Sequence, residues 1–370
     1  MTDAVLKVDQ LAVDFGTGEG TVHAVRGISF SLGAHEVLGI VGESGSGKSV
    51  TALAAMGLLP KSARVTGSIA YRDRELLGLK EKELSGIRGL GIAMIFQDPM
   101  TSLNPVYTVG WQIAEAVRAH QDVTKDEAMA QAVRLLETVG IPFAADRVDN
   151  YPHEFSGGMR QRVVIAIAMA NNPAVILADE PTTALDVTVQ AQVLRSLKTA
   201  LDETGAALLL ITHDLGVIAG LADRVLVMYA GRPVEIGTVD DIFYRPAMPY
   251  THGLLGSLPR LDSAGTERLR QIPGSPPSMV GEHTGCPFAP RCPMRQDICD
   301  REEPELRPVR LAPTGTPAPS GTTLPDPDPP AGNGGPPTHV AACHFADEVV
   351  RQPVASMFPD SSADHEGVAQ

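Results

Sequence analysis

One octapeptide limits the folds open to this chain more than any other stretch: Gly42 to Ser49 reads GESGSGKS. The spacing G-x-x-x-x-G-K-[ST] is that of a phosphate-binding loop, which functions between a buried strand and the first turn of a helix. Both flanks are present. Val37, Leu38, Ile40 and Val41 form a short apolar run ending at Gly42, and Ser49 to Met56 is helix-compatible until Gly57 and Pro60. Gly42, Ser44, Gly45 and Gly47 form the cradle, whose small residues let backbone N–H groups point inward at an anion on a helix N-terminus. Lys48 is placed to reach the β- and γ-phosphates of a nucleotide, and the Ser49 hydroxyl to ligate Mg²⁺. The chain must then fold as an α/β domain with a parallel sheet.

The rest of the sequence agrees with that class. Ala174 to Ala178 and Ala207 to Ile211 are short, fully apolar runs, and the stretch Val187 to Thr204 between them has helical character. Apolar strands alternating with helices give a largely parallel sheet covered on both faces. Before residue 96 the chain is strand-rich, with β-like stretches at Leu6–Phe15, Gly27–Leu32 and Glu36–Val41. Asp98 to Glu154 is helical in pattern, with helices expected near Val109–His120 and Lys125–Val139, and another over Arg160–Ala170. Composition shifts near residue 245, after which proline and cysteine accumulate, and Pro304 to Pro337 reads as an extended, poorly ordered loop.

With 370 residues, 43% of them hydrophobic, the chain can bury a sizeable core. A formal net charge of −14 argues against a broad nucleic-acid-binding face. The N-terminus lacks the basic and apolar regions of a secretory signal, and the apolar runs are too short to span a bilayer. A soluble, cytoplasmic location is expected, with any membrane role supplied by a partner.

Two adjacent carboxylates follow the apolar strand at Val175: Asp179 and Glu180. The C-terminal end of a buried parallel strand is where a ligand is met. Asp179 suits the Walker B role of holding Mg²⁺ through its water shell, and Glu180 is then placed to polarise an attacking water. The four cysteines, Cys286, Cys292, Cys299 and Cys343, lie in the last quarter of the chain, where a reducing compartment favours a metal site over disulfides.

In this order, these motifs resemble an ABC-type ATPase over roughly residues 5 to 240. FSGGMRQR at Phe155 to Arg162 is similar to the family signature LSGGQ and its helix. The resemblance implies that Ser156, Gly157 and Gly158 present a hydroxyl and N–H groups to the γ-phosphate of ATP held by a second subunit. It also implies a Q-loop role for Gln97, contacting Mg²⁺ and a membrane partner, a D-loop role for Asp186, and a γ-phosphate contact for His213. Phe15 takes the position of the aromatic that stacks on adenine. The implied fold is an α/β P-loop NTPase with a RecA-like core, an antiparallel β-subdomain, an α-helical subdomain at about 98–158 and a Cys-containing C-terminal extension.

Three further stretches resemble the oligopeptide/dipeptide importer branch: MIFQDPMTSLNPVYTVGWQIAE from Met94, YPHEFSGGMRQR from Tyr151, and IPGSPPS at Ile272 followed by CPFAPRCP at Cys286. The implied division is an ATPase domain at 1–245, the family's C-terminal region with its four cysteines and Pro-rich loop at 246–350, and a flexible tail at 351–370. Met159 in place of the signature glutamine resembles the D-type rather than the F-type subunit. The expected partners are a second, non-identical ATPase subunit of F-type, two transmembrane permease subunits and, indirectly, an extracytoplasmic solute-binding protein, with no nucleic acid. The expected location is the cytoplasmic face of the cell membrane. ATP and Mg²⁺ are the implied cofactors. The cysteines, spaced C-x₅-C-x₆-C before a long gap to Cys343, are associated in the branch with a [4Fe–4S] cluster, with Cys₄ or Cys₃His zinc as the alternative.

Other readings share parts of this pattern. The same machinery carries nickel, glutathione or antimicrobial peptides in related transporters. Soluble ABC ATPases act on DNA or ribosomes, but carry two cassettes or long coiled coils, whereas this chain has one loop and no sustained heptads. A GTPase would need an NKxD motif, which the sequence does not contain.

Overall fold

A computed structural model describes residues 4–183, 185–258, 271–281, 284–310, 339–354 and 356–358. The chain divides into two units, one of Met1–Pro233 with Pro276–Glu282, the other of Val234–Ser275 with His283–Gln370. The composition change near residue 245 falls inside the second unit.

In the first unit the short apolar runs become parallel strands. Their order across the sheet is Arg224–Tyr229, Val37–Val41, Ala207–Ile211, Val175–Asp179 and Ile92–Ile95. Leu38, Ile40, Val175, Leu177, Leu209 and Ile211 are almost wholly buried, as expected for strands covered on both faces. Because the strands run parallel, their C-terminal ends lie along one edge. The register sets Ile40 and Asp179 each opposite Ile211, so the turns after these strands emerge side by side.

The strand-rich N-terminal part forms a separate antiparallel sheet in the order Gly20–Gly33, Ala4–Thr17, Ala63–Tyr71, Arg74–Glu75. Its first hairpin turns at Thr17–Gly20, where the Thr17 hydroxyl donates to the Gly20 carbonyl at 2.7 Å. Strand Gly20–Gly33 has a free flank, and the segment after the IPGSPPS stretch covers its start: Val22 bridges Val280, and the His23 N–H donates to the Met279 carbonyl at 2.9 Å. The composition gave no sign that residues so far along the chain would return to this sheet.

Helices Val109–Arg118, Lys125–Thr138 and Gly157–Met169 make the helical part. Thr108 caps the first, and Thr124 with Glu127 closes a capping box on the second, fixing both starts. The third begins three residues earlier than its apolar pattern indicates, because Ser156 caps it by accepting from the Met159 N–H at 3.4 Å.

The second unit is small and held by a few buried groups. Tyr250 and Phe288 pack edge to face with ring centroids 5.5 Å apart. Strand Val340–Ala341 pairs on one side with Glu235 and Ile236 of strand Arg232–Thr238, and on the other with Arg307–Pro308. Residues 307–308, within the stretch expected to be a disordered loop, are therefore a short strand; residues 311–338 and most of the tail lie outside the described residues. Glu235 is fully buried, accepting from the Ala247 N–H at 2.6 Å and from His339 Nε2–H at 2.8 Å. Removing His339 leaves a buried Glu235 oxygen without its side-chain donor, at a cost of about 1–3 kcal/mol. His339→Ala should therefore melt or expose the second unit to protease well before the first, read by limited proteolysis and mass mapping.

Candidate nucleotide and cysteine sites

The phosphate-binding loop connects strand Val37–Val41 to helix Lys48–Ala55. Ser44 and Gly45 form its exposed tip, while Gly42 and Gly47 are buried. Gly47 has φ 97°, and a Cβ there would strike the Ala24 carbonyl, so only glycine fits. That close approach also sets strand Gly20–Gly33 against the loop. Phe15 lies across from Val22 on the neighbouring strand, half-buried near the hairpin end, two residues along from this contact.

Lys48 is 5% exposed. Its ammonium donates to the Gly42 carbonyl at 2.8 Å, the Glu43 carbonyl at 2.9 Å and Ser46 Oγ at 3.4 Å. Burial pushes its pKa down, opposed by the nearby carboxylates of Glu180, Asp179 and Glu43. The charge is thus held at the rim of the cradle where phosphate oxygens would replace loop carbonyls as acceptors.

Ser49 Oγ donates to Asp179 Oδ1 at 2.8 Å. Burial raises the Asp179 pKa, and the Ser49 hydrogen bond and Lys48 charge act against that rise. A hydroxyl and a carboxylate oxygen in contact at the edge of a phosphate cradle form a hard oxygen donor set suited to Mg²⁺, which keeps several waters and binds phosphate as well.

Glu180 follows at a sharp turn. Its φ is 46°, left-handed for a residue with a Cβ, and its N–H is tied to the Ile211 carbonyl at 2.8 Å. Its Oε2 is a meeting point. Gln97 Nε2 donates to it at 3.2 Å, Thr183 Oγ1 at 2.8 Å, and His213 Nδ1 stands 3.3 Å away. Gln97, expected to contact Mg²⁺, has its amide nitrogen on this carboxylate. Sequence reasoning found Gln97, Glu180 and His213 but missed Thr183. Nothing in the run Pro181-Thr182-Thr183 distinguishes the hydroxyl that turns inward to Glu180.

Asp186 caps helix Val187–Thr204, its Oδ1 accepting from the Val189 N–H at 3.0 Å. The same helix is braced to the turn after His213, since Gln190 Nε2 donates to Asp214 Oδ2 at 2.9 Å. Gly158 packs so closely on Val189 that a Cβ would collide with its methyl, while Ser156 and Gly157 remain exposed at the helix start. Ser156 and Gly157, at the first turn of this helix, therefore lie open to solvent.

The cysteines come together in the second unit. Cys286, Cys292, Cys299 and Cys343 all line one small, largely closed cavity whose other walls include Met248, Phe288 and Phe345. The Cys286 N–H donates to the Cys299 carbonyl at 2.7 Å, fixing two of them at a backbone crossing. Burial pushes the Cys286 thiol to about 11 and the Cys343 thiol to about 12, and also raises Cys292. Among the described residues, no group of three or more His, Cys, Asp or Glu side chains is gathered tightly enough to hold a single metal ion. Also among them, no helix is long and apolar enough to cross a membrane.

The comparisons with known proteins agree with this geometry. Residues 25–183 match the family described as ABC transporter, and residues 234–299 the one described as oligopeptide/dipeptide transporter, C-terminal region. The dipeptide transport ATP-binding protein DppD of Bacillus subtilis is 55% identical over 304 residues, covering 82% of this chain and 90% of that protein. The oligopeptide transport ATP-binding protein OppD of Escherichia coli is 53% identical over 311 residues, covering 84% and 92%. OppD of Mycobacterium tuberculosis is 58% identical over 303 residues; the match covers 82% of this chain, which spans 50% of that protein's length. Among solved structures, a dimeric ATP-binding cassette in a post-hydrolysis state bound to ADP and Pi is similar with a TM-score of 0.57 at 26% identity, covering 63% of this chain and 98% of that one. CbiO1 of Clostridium perfringens, part of an ABC transporter complex, has a TM-score of 0.56 at 28% identity, covering 65% and 91%. With the phosphate loop, the paired carboxylates and the signature helix on one α/β scaffold, the chain belongs to the family of ABC transporter ATP-binding proteins, in the branch of the oligopeptide and dipeptide transport proteins OppD and DppD.

Proposed function

We propose that this chain is an ATP-hydrolysing subunit that energises import of dipeptides or oligopeptides from the cytoplasmic face of the cell membrane. The observation that carries the reading is the convergence on one sheet edge of Lys48, Ser49, Asp179 and Glu180, with Gln97 and His213 on the Glu180 carboxylate. Peptide cargo rests on the names of its relatives. The ATPase domain is taken as residues 1–245, the family's C-terminal region as 246–350 and the tail as 351–370.

In this reading the loop N–H groups and Lys48 bind the triphosphate, and Phe15 stacks on adenine. Ser49 and Asp179 would hold Mg²⁺, which when bound would neutralise phosphate charge. Glu180 orients the attacking water and accepts its proton, while Gln97 and His213 leave Oε2 to serve the metal and the γ-phosphate. Ser156, Gly157 and Gly158 complete the nucleotide site of a second subunit, and Asp186 joins the two. The exposure of Ser156, Gly157 and Asp186 supports that role, while Gly158 is packed against Val189. Catalysis is then chiefly positional and electrostatic.

The second subunit is proposed to be an F-type ATPase, and the membrane partners two permease subunits fed by a solute-binding protein. A groove of about 390 Å³ lined by Met94, Phe96, Thr101, Ser102, Val164 and Ile167 lies beside Gln97, with the neighbouring Met100 59% exposed. A groove of mixed apolar and hydroxyl lining next to Gln97, which touches Glu180, supports docking of a permease loop. Purification of the tagged chain from native membranes should recover both permeases and an unlike ATPase; recovery of a homodimer with full activity would reject the heteromeric reading.

A [4Fe–4S] cluster is proposed for the four cysteines, supported by their lining one cavity. Each thiolate would bind a different iron, so the sulfurs need not crowd one ion, whereas tetrahedral zinc with Zn–S near 2.3 Å brings them within about 4 Å of one another. Neutral, buried thiols lose their protons when a cation arrives, so loading should be favoured as pH rises. Protein isolated without oxygen should contain about four irons and four sulfides with visible absorbance, all lost in Cys286→Ser. Stoichiometric zinc without iron would overturn the cluster.

A further inference from the structure

The Glu180 carboxylate has three holders, and they differ in what else they must do. Gln97 is exposed and comes from the loop after strand Ile92–Ile95; His213 is 62% exposed and comes from the turn after strand Ala207–Ile211. In the reading above both turn to the nucleotide and its metal. Thr183 is different. It belongs to the same turn as Glu180, with its N–H donating to the Glu180 carbonyl at 3.2 Å and its hydroxyl to Oε2 at 2.8 Å. Backbone and side chain therefore tie the same two residues together, and no movement of another element is needed to keep the bond.

The turn gives that bond a purpose. Glu180 sits at φ 46°, so its backbone is fixed in an uncommon conformation, yet the carboxylate still rotates about the side-chain bonds. One hydroxyl donating to Oε2 removes that freedom and leaves Oε1 for the water. We propose that Thr183 is a positioning residue for ATP hydrolysis, keeping the Glu180 carboxylate aimed after Gln97 and His213 have let go. The proposal rests on Glu180 acting as the general base.

Valine has the shape of threonine without the donor, and serine keeps the donor without the methyl. In the assembled transporter, Thr183→Val should lower kcat about 10-fold or more, the usual loss for one hydrogen bond to a charged group. The KM for ATP should stay within about two-fold, since an interaction used only in the chemical step leaves ground-state binding alone. Thr183→Ser should restore most of kcat, and all variants should melt as the unmodified protein does. A Thr183→Val protein with unchanged kcat, a loss appearing in KM instead, or a Ser variant as slow as Val would each overturn the proposal. Glu180→Gln in the same assay separates the two levels. If Glu180→Gln is inert while Thr183→Val is normal, only the Thr183 role fails; if Glu180→Gln turns over normally, the general-base reading fails with it.

Discussion

Glu180→Gln should bind ATP as tightly as the unmodified chain and hydrolyse it about 10²–10⁴-fold more slowly, the range spanned by loss of a general base. The substitution is close to isosteric. A glutamine carbonyl placed as Oε2 is now could still accept from Thr183 and Gln97, so the turn at φ 46° and the register of the flanking strand should persist. What is lost is the proton acceptor. Single-turnover assays with labelled ATP, run beside equilibrium binding, separate the two effects. Weak ATP binding would mean that the carboxylate shapes the loop; normal turnover would remove Glu180 from the chemistry.

Lys48→Ala should act one step earlier. The ammonium interacts electrostatically with Glu180, Asp179 and Glu43, and it donates to two loop carbonyls and Ser46. Without it, a triphosphate would approach three carboxylates with only backbone N–H groups and Mg²⁺ to meet it. Charge-assisted hydrogen bonds are worth about 1.5–3 kcal/mol each, so loss of even one predicts a fall in ATP affinity of roughly 10- to 150-fold. Titration calorimetry with ATP and Mg²⁺ reads this directly. Lys48→Arg should not rescue it, because the wider guanidinium cannot enter a position only 5% exposed without displacing the loop.

Much of this site was legible in the sequence for a local reason. The loop, Asp179 and Glu180, and His213 follow apolar runs that can only be buried parallel strands, and such strands deliver their following residues to one edge. The string itself therefore contained the geometry, and the observed strands Val175–Asp179 and Ala207–Ile211 depart from the expected runs by a residue or less. Gln97, Asp186 and the signature carried no such signal alone and depended on their order along the chain. The long-range pairings were not legible. Glu235 and His339 are far apart in sequence and look like surface polar residues, yet they form a buried pair that returns the chain toward Cys343. Met279 and Val280 follow the IPGSPPS stretch, whose sequence carries no pairing signal, but their backbone bonds to the start of strand Gly20–Gly33. Thr183 was hidden for a third reason: direction. Thr182 and Thr183 are chemically alike, and only the backbone of the turn decides which hydroxyl meets Glu180.

In the proposed function, the phosphate loop of this chain is half of a site that a second subunit completes. ATP turnover per chain should be measured against protein concentration, for the isolated chain and for the complex recovered from membranes, with and without Ser156→Arg. Dilute isolated chain should turn over little ATP, the assembled complex should turn it over rapidly, and the variant should lose the site completed by Ser156. Concentration-independent hydrolysis by the monomer, unaffected by Ser156→Arg, would contradict it.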